Sequence, residues 1–247
     1  MPVDPNSPWL ARHILYDVIL SPCFYQPFLA SCLLHVVWYF GISATLISKL
    51  YPSGGQKAKA WISALLTSSV IVAGGLPVCW QFLQLGPLQT TADLTDLDTR
   101  YSWCLGAFFT ASLWMDCLLG TLFYPAQLQL VTGWIHHITY TYIILWHISR
   151  GQVGLLMACS AVQEIPTILL ASGSINKRWR TDVGFGVAFF LTRVCFHFAT
   201  IVYAFHVYTV GWYWVIPALP FPVHLAWFYR WGVGFFSQGK RREIKLE

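Results

Sequence analysis

Long apolar stretches separated by short polar connections dominate the pattern of this chain. Each stretch holds about 20 mostly apolar residues, enough for one α-helix to cross a hydrocarbon core of roughly 30 Å. The pattern therefore predicts an all-α membrane protein, a bundle of about seven transmembrane helices. The predicted windows are residues 27–48, 60–85, 101–124, 130–148, 152–173, 183–208 and 211–236.

Composition supports the same class. Of 247 residues, 56% are hydrophobic, 17% aromatic and only 10% charged, with a mean hydropathy of +0.56. A soluble domain of this length carries a larger charged fraction, so a soluble protein is excluded. The chain has no nucleotide-binding glycine-rich loop, and we expect membrane lipids, not nucleic acid, as partners. The sequence leaves homo-oligomer formation open.

The chain divides into three segments. Residues 1–26 are expected to form a lumenal N-terminal segment, residues 27–236 the transmembrane domain and residues 237–247 a basic cytoplasmic tail. Within the first segment, residues 9–20 mix apolar positions with Arg12, His13 and Asp17, which suits a helix lying in the membrane interface or a cap on the first span. Residues 1–8 lack a basic region, so we expect no cleaved signal peptide.

Basic residues predict the orientation, because short cytoplasmic loops are rich in Lys and Arg. With seven spans, ten of the fifteen basic residues fall on one side of the membrane, whereas the connection after the second window carries three aspartates. The N-terminus is therefore predicted to be lumenal and the C-terminus cytoplasmic. The ten residues are Lys49, Lys57, Lys59, Lys177, Arg178, Arg180, Lys240, Arg241, Arg242 and Lys245.

Four windows each place an ionisable residue at a similar depth. At a rise of 1.5 Å per residue, Asp116, His136, Glu164 and Arg193 lie roughly 9 to 15 Å from the cytoplasmic helix ends. Burying a charge at such depth costs on the order of 3 kcal/mol on insertion scales, so a shared polar cavity is the economical explanation. The alternative is a structural network in which Arg193 pairs with Glu164 or Asp116.

Adjacent histidines point about 100° apart on a helix, so one of His136 and His137 should line the cavity while the other supports it. Tyr140 shares a helix face with His136. His197 follows Arg193 by four residues and lies on the same face, one turn away. His35, His206 and His224 are interpreted as isolated polar contacts.

The motifs Trp114-Met115-Asp116, Gly133-Trp134-Ile135-His136-His137, Gln163-Glu164-Ile165-Pro166-Thr167 and Thr192-Arg193 together resemble the TLC-domain family, which includes the ceramide synthases. The resemblance covers most of the chain. It implies a TLC-type helical bundle, with paired histidines at a site that transfers an acyl group from acyl-CoA to a sphingoid base. In ceramide synthases the second motif reads His-Asp, with another Asp three residues on. Gln163, Glu164 and Thr167 occupy those positions here, which is more similar to the small TLC-domain proteins.

Lipid acyl transfer is accordingly the first predicted function. His136 or His137 would act as base or nucleophile, since a neutral imidazole can do either, and Glu164 or Asp116 would orient it. Arg193, His197, Tyr140 and Thr167 are the predicted substrate-binding residues. No bound cofactor is expected, and acyl-CoA is the candidate co-substrate. We expect the protein in the endoplasmic reticulum or a connected membrane.

Other interpretations remain open. One is a non-catalytic lipid-binding or membrane-composition protein on the same scaffold. Another is a membrane terpene cyclase in which Asp116 or Glu164 protonates the substrate. No metal is expected, because the histidine boxes of di-iron enzymes are missing, although His136, Glu164 and Asp116 could share one ion. Most of the seven cysteines are interpreted as packing residues, with one disulfide between Cys23 and Cys104 left open.

Overall fold

The structure is a computed structural model that describes residues 14–52, 55–85, 94, 96–207 and 214–243. These residues contain no strand and form seven long helical segments. They are α1 (Pro22–Leu50), α2 (Gln56–Gln84), α3 (Arg100–Phe123), α4 (Leu130–Ile135 continuing into His136–Ser149), α5 (the two halves Val153–Gln163 and Ile165–Ile175), α6 (Asp182–Val207) and α7 (Phe221–Glu243). Short helical turns lie at Ile14–Ile19, Pro125–Gln127, Lys177–Trp179 and Val215–Ala218.

Membrane-spanning character is clear for part of this set. Within the described residues, α1, α2, α3 and α6 are long and apolar enough to cross a membrane, and α5 makes a fifth if its two halves form one span. The described part of the chain is thus helical, and the protein is membrane-embedded. Helix α4 coincides with the predicted window at residues 130–148, whereas α7 begins and ends later than the window at residues 211–236. The count of seven spans remains a prediction.

Helix α3 lies at the centre of the bundle, because most of its side chains are buried while those of α1 are mostly exposed. It packs against α1, α2, α4 and α5. Its buried Thr110 and Ser112 donate their hydroxyl hydrogens to carbonyl groups one turn back, so neither leaves a polar group unsatisfied. Large apolar side chains on the outer surface, including Leu33, Leu76 and Leu122, remain exposed, as expected for helices that face lipid.

Irregular turns occur where the polar residues are concentrated. A π-helical turn at Leu130–Ile135 directly precedes His136, and another at Phe190–Phe196 contains Arg193. Helix α5 bends by 46° at Glu164, where Pro166 cannot donate a backbone hydrogen bond to the preceding turn. Such breaks are frequent at functional sites because they redirect side chains and free backbone groups.

One carboxylate joins the starts of α3 and α5. Asp98 accepts hydrogen bonds from the Val153 backbone N–H at 3.1 Å and from the Trp103 indole N–H at 3.0 Å. A Cβ on Gly154 would overlap the Leu97 carbonyl, so only glycine permits this approach. Burial raises the pKa of Asp98 above its usual value, and the hydrogen bonds partly offset that effect.

Several boundary predictions can now be placed. The predicted interfacial helix at residues 9–20 is helical over Ile14–Ile19, while residues 1–13 lie outside the described part of the chain. Helix α7 extends to Glu243, so the predicted tail begins as helix. Cys23 and Cys104 are both free thiols, so the disulfide left open by the sequence is not formed.

Candidate functional site

A cavity of about 700 Å³ lies between α2, α3, α4, α5, α6 and α7. It reaches the end of the bundle where α2 begins and where α3 connects to α4, because Lys57 and Gln127–Gln129 belong to its lining. This volume is within the range of small-molecule sites. Seven of the eight residues singled out from the sequence line it: Asp116, His136, His137, Tyr140, Glu164, Thr167 and Arg193.

An ion pair between α5 and α6 forms part of the cavity wall. Arg193 Nη2 lies 2.9 Å from Glu164 Oε1 and donates to Thr167 Oγ1 at the same distance, while Nε donates to the Gln163 carbonyl at 2.8 Å. The other carboxylate oxygen, Oε2, accepts from Ser68 at 2.6 Å. The guanidinium therefore donates three hydrogen bonds to residues at the break in α5. This is the pairing that the network interpretation anticipated.

A second cluster contains His137. Tyr124 donates its hydroxyl hydrogen to Asp116 Oδ1 at 2.8 Å, and Asp116 Oδ2 lies 3.8 Å from His137 Nδ1. The thiol of Cys117 is 3.3 Å from the same nitrogen. His137 is thus held against α3 by groups on two consecutive residues. Sequence reasoning missed Tyr124, which directly follows the last residue of α3 and lies eight residues after Asp116, about two helical turns away.

His136 is placed differently from its neighbour. Its ring lies 4.4 Å from that of Tyr140 and 6.1 Å from that of Trp227, measured between centroids. Among the described residues, neither of its ring nitrogens has a hydrogen-bond partner, and the side chain lines the cavity. Both histidines line the cavity, contrary to the expectation that only one would, but His136 presents an unengaged imidazole while His137 is anchored.

Charge is distributed unevenly along the cavity. The deep carboxylates Asp116 and Glu164 both accept hydrogen bonds, and Glu164 is neutralised by Arg193. Lys57 and Arg230, by contrast, are exposed lining residues without a carboxylate partner among the described residues. Asp116 has no Lys or Arg partner among the described residues, whereas Lys57 and Arg230 add two cations to the cavity lining.

The eighth predicted residue, His197, does not line this cavity. It borders a smaller, mostly apolar chamber of about 100 Å³, which shares Tyr140, Ser160 and Gln163 with the main cavity. The His197 ring contacts His224, whose Nε2 is 3.4 Å from Arg193 Nη1. The interpretation of His224 as an isolated contact is therefore wrong, because α7 packs it against both α6 residues. The sequence contains no spacing signal that links positions so far apart.

His35 and His206, the other two histidines interpreted as isolated contacts, have local environments. His35 is buried between α1 and α2, where it contacts the Ser31 carbonyl at 2.8 Å and the Thr67 hydroxyl at 3.3 Å. His206 is exposed near the end of α6. Within the described part of the chain, no three His, Cys, Asp or Glu side chains are close enough together to hold a metal ion, and His136, Glu164 and Asp116 are therefore too far apart to share one.

Comparison of the chain with protein-family models, with curated proteins and with solved structures finds no match. The TLC-domain resemblance therefore remains a prediction that depends on the motif residues alone.

Proposed function

We propose that this protein is a seven-span, TLC-type acyltransferase of the endoplasmic reticulum, which moves an acyl group from acyl-CoA to a membrane lipid. The observation that carries the proposal is the unengaged imidazole of His136 in a large intramembrane cavity. A histidine in lipid is costly unless it faces a cavity and serves a function there. A neutral imidazole is also the usual general base near neutral pH.

The two histidines have separate tasks in this proposal. His137, in contact with Asp116 and Cys117, fixes the start of α4 against α3. This anchor holds the neighbouring His136 beside Tyr140, where it can meet a substrate. The sequence left either histidine as the base; the contacts favour His136.

The proposed reaction moves the acyl group from the sulfur of acyl-CoA to a nitrogen or oxygen of the acceptor lipid. The amine or hydroxyl of the acceptor lipid attacks the thioester carbonyl, and His136 takes the proton from the attacking nitrogen or oxygen. The carbon–sulfur bond breaks, and the leaving thiolate takes that proton back from His136. The products are an amide or ester and free CoA. No other reactant is required.

Charge at the cavity favours the same kind of substrate. Lys57 and Arg230 carry positive charge that the described acidic residues do not neutralise. Phosphate groups, as in acyl-CoA, are suitable partners for such cations. The predicted topology places this end of the bundle on the cytoplasmic side, where CoA is found.

A non-catalytic lipid-binding protein is the second candidate. It is favoured by the carboxylate of Glu164, whose two oxygens are occupied by Arg193 and Ser68. A carboxylate engaged in this way stabilises helix packing and leaves His136 without an acid to orient it. The terpene cyclase would use Asp116 or Glu164 as the acid, and no contact of either side chain favours this reaction over acyl transfer.

The deciding experiment is a lipid analysis of membranes from cells supplied with labelled fatty acid. The cells make matched amounts of the wild-type chain, His136→Gln or Glu164→Gln. His206→Gln is the control, since His206 borders neither cavity. Acyl transfer predicts a labelled N-acyl or O-acyl lipid with wild type and the control, and its loss with His136→Gln. Identical lipid profiles for wild type and His136→Gln would refute catalysis and favour the lipid-binding protein.

A further inference from the structure

Two buried histidines connect α6, α7 and the segment that precedes α7. His197 and His224 are 2% and 1% exposed, and their Nδ1 atoms lie 2.8 Å apart. His197 Nε2 is 2.7 Å from the Pro217 carbonyl oxygen, and His224 Nε2 is 3.4 Å from Arg193 Nη1. All four ring nitrogens are therefore in contact with a polar atom.

The Pro217 carbonyl and the Arg193 guanidinium, at the two ends of this chain of contacts, determine which ring nitrogens carry hydrogen. A carbonyl only accepts, so His197 Nε2 carries a hydrogen. A neutral His197 then has Nδ1 as an acceptor, and His224 Nδ1 must be the donor. His224 Nε2 is left as an acceptor for Arg193 Nη1, which only donates. One arrangement with two neutral rings thus satisfies every contact from Arg193 to Pro217.

A charged ring breaks this arrangement. If His224 were an imidazolium, its Nε2 hydrogen would point at the guanidinium, and two donors would face each other. If His197 were an imidazolium, it would donate from Nδ1, and a neutral His224 would need its hydrogen on Nε2, opposite Arg193. Only the doubly neutral pair accepts a hydrogen bond from Arg193.

We propose that His224 and His197 are positioning residues for Arg193. His224 Nε2 engages Nη1 and so fixes the rotation of the guanidinium, which directs Nη2 at Glu164 and Thr167. His197, fixed by Pro217, holds the His224 ring in the required tautomer. The position of the Arg193–Glu164 pair in the cavity therefore depends on α7, which contributes neither partner. The consequence for catalysis rests on the proposed acyl transfer; the positioning itself does not.

The proton arrangement can be tested directly on the full chain. NMR of the detergent-solubilised protein labelled with ¹⁵N-histidine, with signals assigned from His197→Gln and His224→Gln, identifies the protonated nitrogen of each ring. The expected result at neutral pH is a hydrogen on Nε2 of His197 and on Nδ1 of His224. The opposite tautomer in either ring, or an imidazolium, would overturn the proposal.

Two substitutions at His224 separate positioning from packing. Glutamine places its carbonyl oxygen near the position of Nε2 and can still accept from Arg193, whereas asparagine places its amide near Nδ1 and keeps only the contact with His197. We expect the Arg193 Nε–H signal in ¹⁵N-arginine spectra to keep its wild-type position in His224→Gln and to shift in His224→Asn. Equal shifts, or none in either variant, would refute the positioning role.

An acyl-transfer assay adds the functional readout. We expect His224→Gln to stay within about threefold of the wild-type rate and His224→Asn to fall by about tenfold or more, since hydrogen bonds to a charged group are the stronger kind. Equal losses in both variants would contradict the positioning role. If neither the wild type nor any variant transfers an acyl group, the proposed function fails. The histidine and arginine spectra still decide whether His224 and His197 position Arg193.

Discussion

Arg193 Nη2 lies 2.9 Å from Glu164 Oε1, across the break that divides α5. Neither side chain is more than 16% exposed, so each charge depends on the other for compensation. Ser68 and Thr167 complete the hydrogen bonding of the pair. The pair therefore joins α2, α5 and α6 at the wall of the cavity.

Removing one partner of this pair should destabilise the protein strongly. We expect Glu164→Gln or Arg193→Met alone to cost about 3 kcal/mol, because each leaves a buried charge or polar group uncompensated, and the double variant to cost less than the sum. Thermal unfolding in detergent measures this. Arg180→Gln is the control, since the Arg180–Asp182 pair is exposed and should contribute less than about 1 kcal/mol. Strict additivity of the two single changes would contradict the coupling.

The adjacent histidines should respond differently to the same substitution. His136→Gln should abolish the labelled lipid product and leave the unfolding temperature near that of wild type, because no described contact of its ring nitrogens is lost. His137→Gln should lower the unfolding temperature, since it loses the contacts with Asp116 and Cys117. Lipid analysis and thermal unfolding of the same preparations test both statements. The reverse pattern would show that His137, and not His136, carries the unengaged imidazole.

Helix α2 approaches α5 closely at one glycine. A Cβ on Gly75 would overlap Ala161 and lie 3.2 Å from the Met157 carbonyl oxygen, so Gly75→Ala should destabilise the protein by about 1 to 3 kcal/mol. Gly41→Ala is the matched control, because a Cβ there meets nothing within 4 Å. The control should change stability by no more than about 1 kcal/mol. Similar unfolding temperatures for the two variants would show that α2 and α5 are less closely packed.

Stability should depend on pH through Asp98. Because burial raises its folded pKa above the unfolded value of 3.8, the folded state binds the proton more tightly in the interval between the two values. Stability associated with this group is therefore highest at low pH and is lost as the pH rises through that interval. Asp98→Asn should flatten this dependence in thermal unfolding measured across acid to neutral pH. Asp96→Asn, at an exposed acid in the same connection, should leave the wild-type profile unchanged.

The predicted topology places the two termini on opposite sides of the membrane. Short epitope tags at each end, detected in cells with only the plasma membrane permeabilised, should show an accessible C-terminus and a protected N-terminus. Full permeabilisation is the control and should reveal both tags. Equal accessibility of the two tags before full permeabilisation would contradict an odd number of spans.

Much of the architecture follows from local sequence. Apolar windows such as residues 101–124 predict helices, because an uninterrupted apolar stretch in lipid can satisfy its backbone only within the helix. The helix at Arg100–Phe123 matches that window closely. The break in α5 is likewise a local effect, since Pro166 follows Glu164 by two residues. Depth counting also placed Glu164 and Arg193 in one layer, where the structure joins them.

The contacts that the ionisable side chains make with one another could not be predicted from hydrophobicity and helical rise. Both histidines line the cavity, and helix rotation decides which of the two also contacts Asp116, namely His137. The π-helical turn just before them alters that rotation. The partner His224 comes from a distant helix, and no periodicity along the chain relates it to Arg193. Tyr124, by contrast, lies eight residues after Asp116, a helical spacing that could have indicated the contact.

By itself, the sequence determined the helical membrane class, most helix positions and the ionisable residues that line one cavity, because these depend on hydrophobicity and on rise per residue. Only the tertiary structure decided which of these groups neutralise one another, which imidazole stays unengaged and how α7 reaches Arg193. Those outcomes depend on helix rotation and on contacts between distant segments, which arise when the helices pack together.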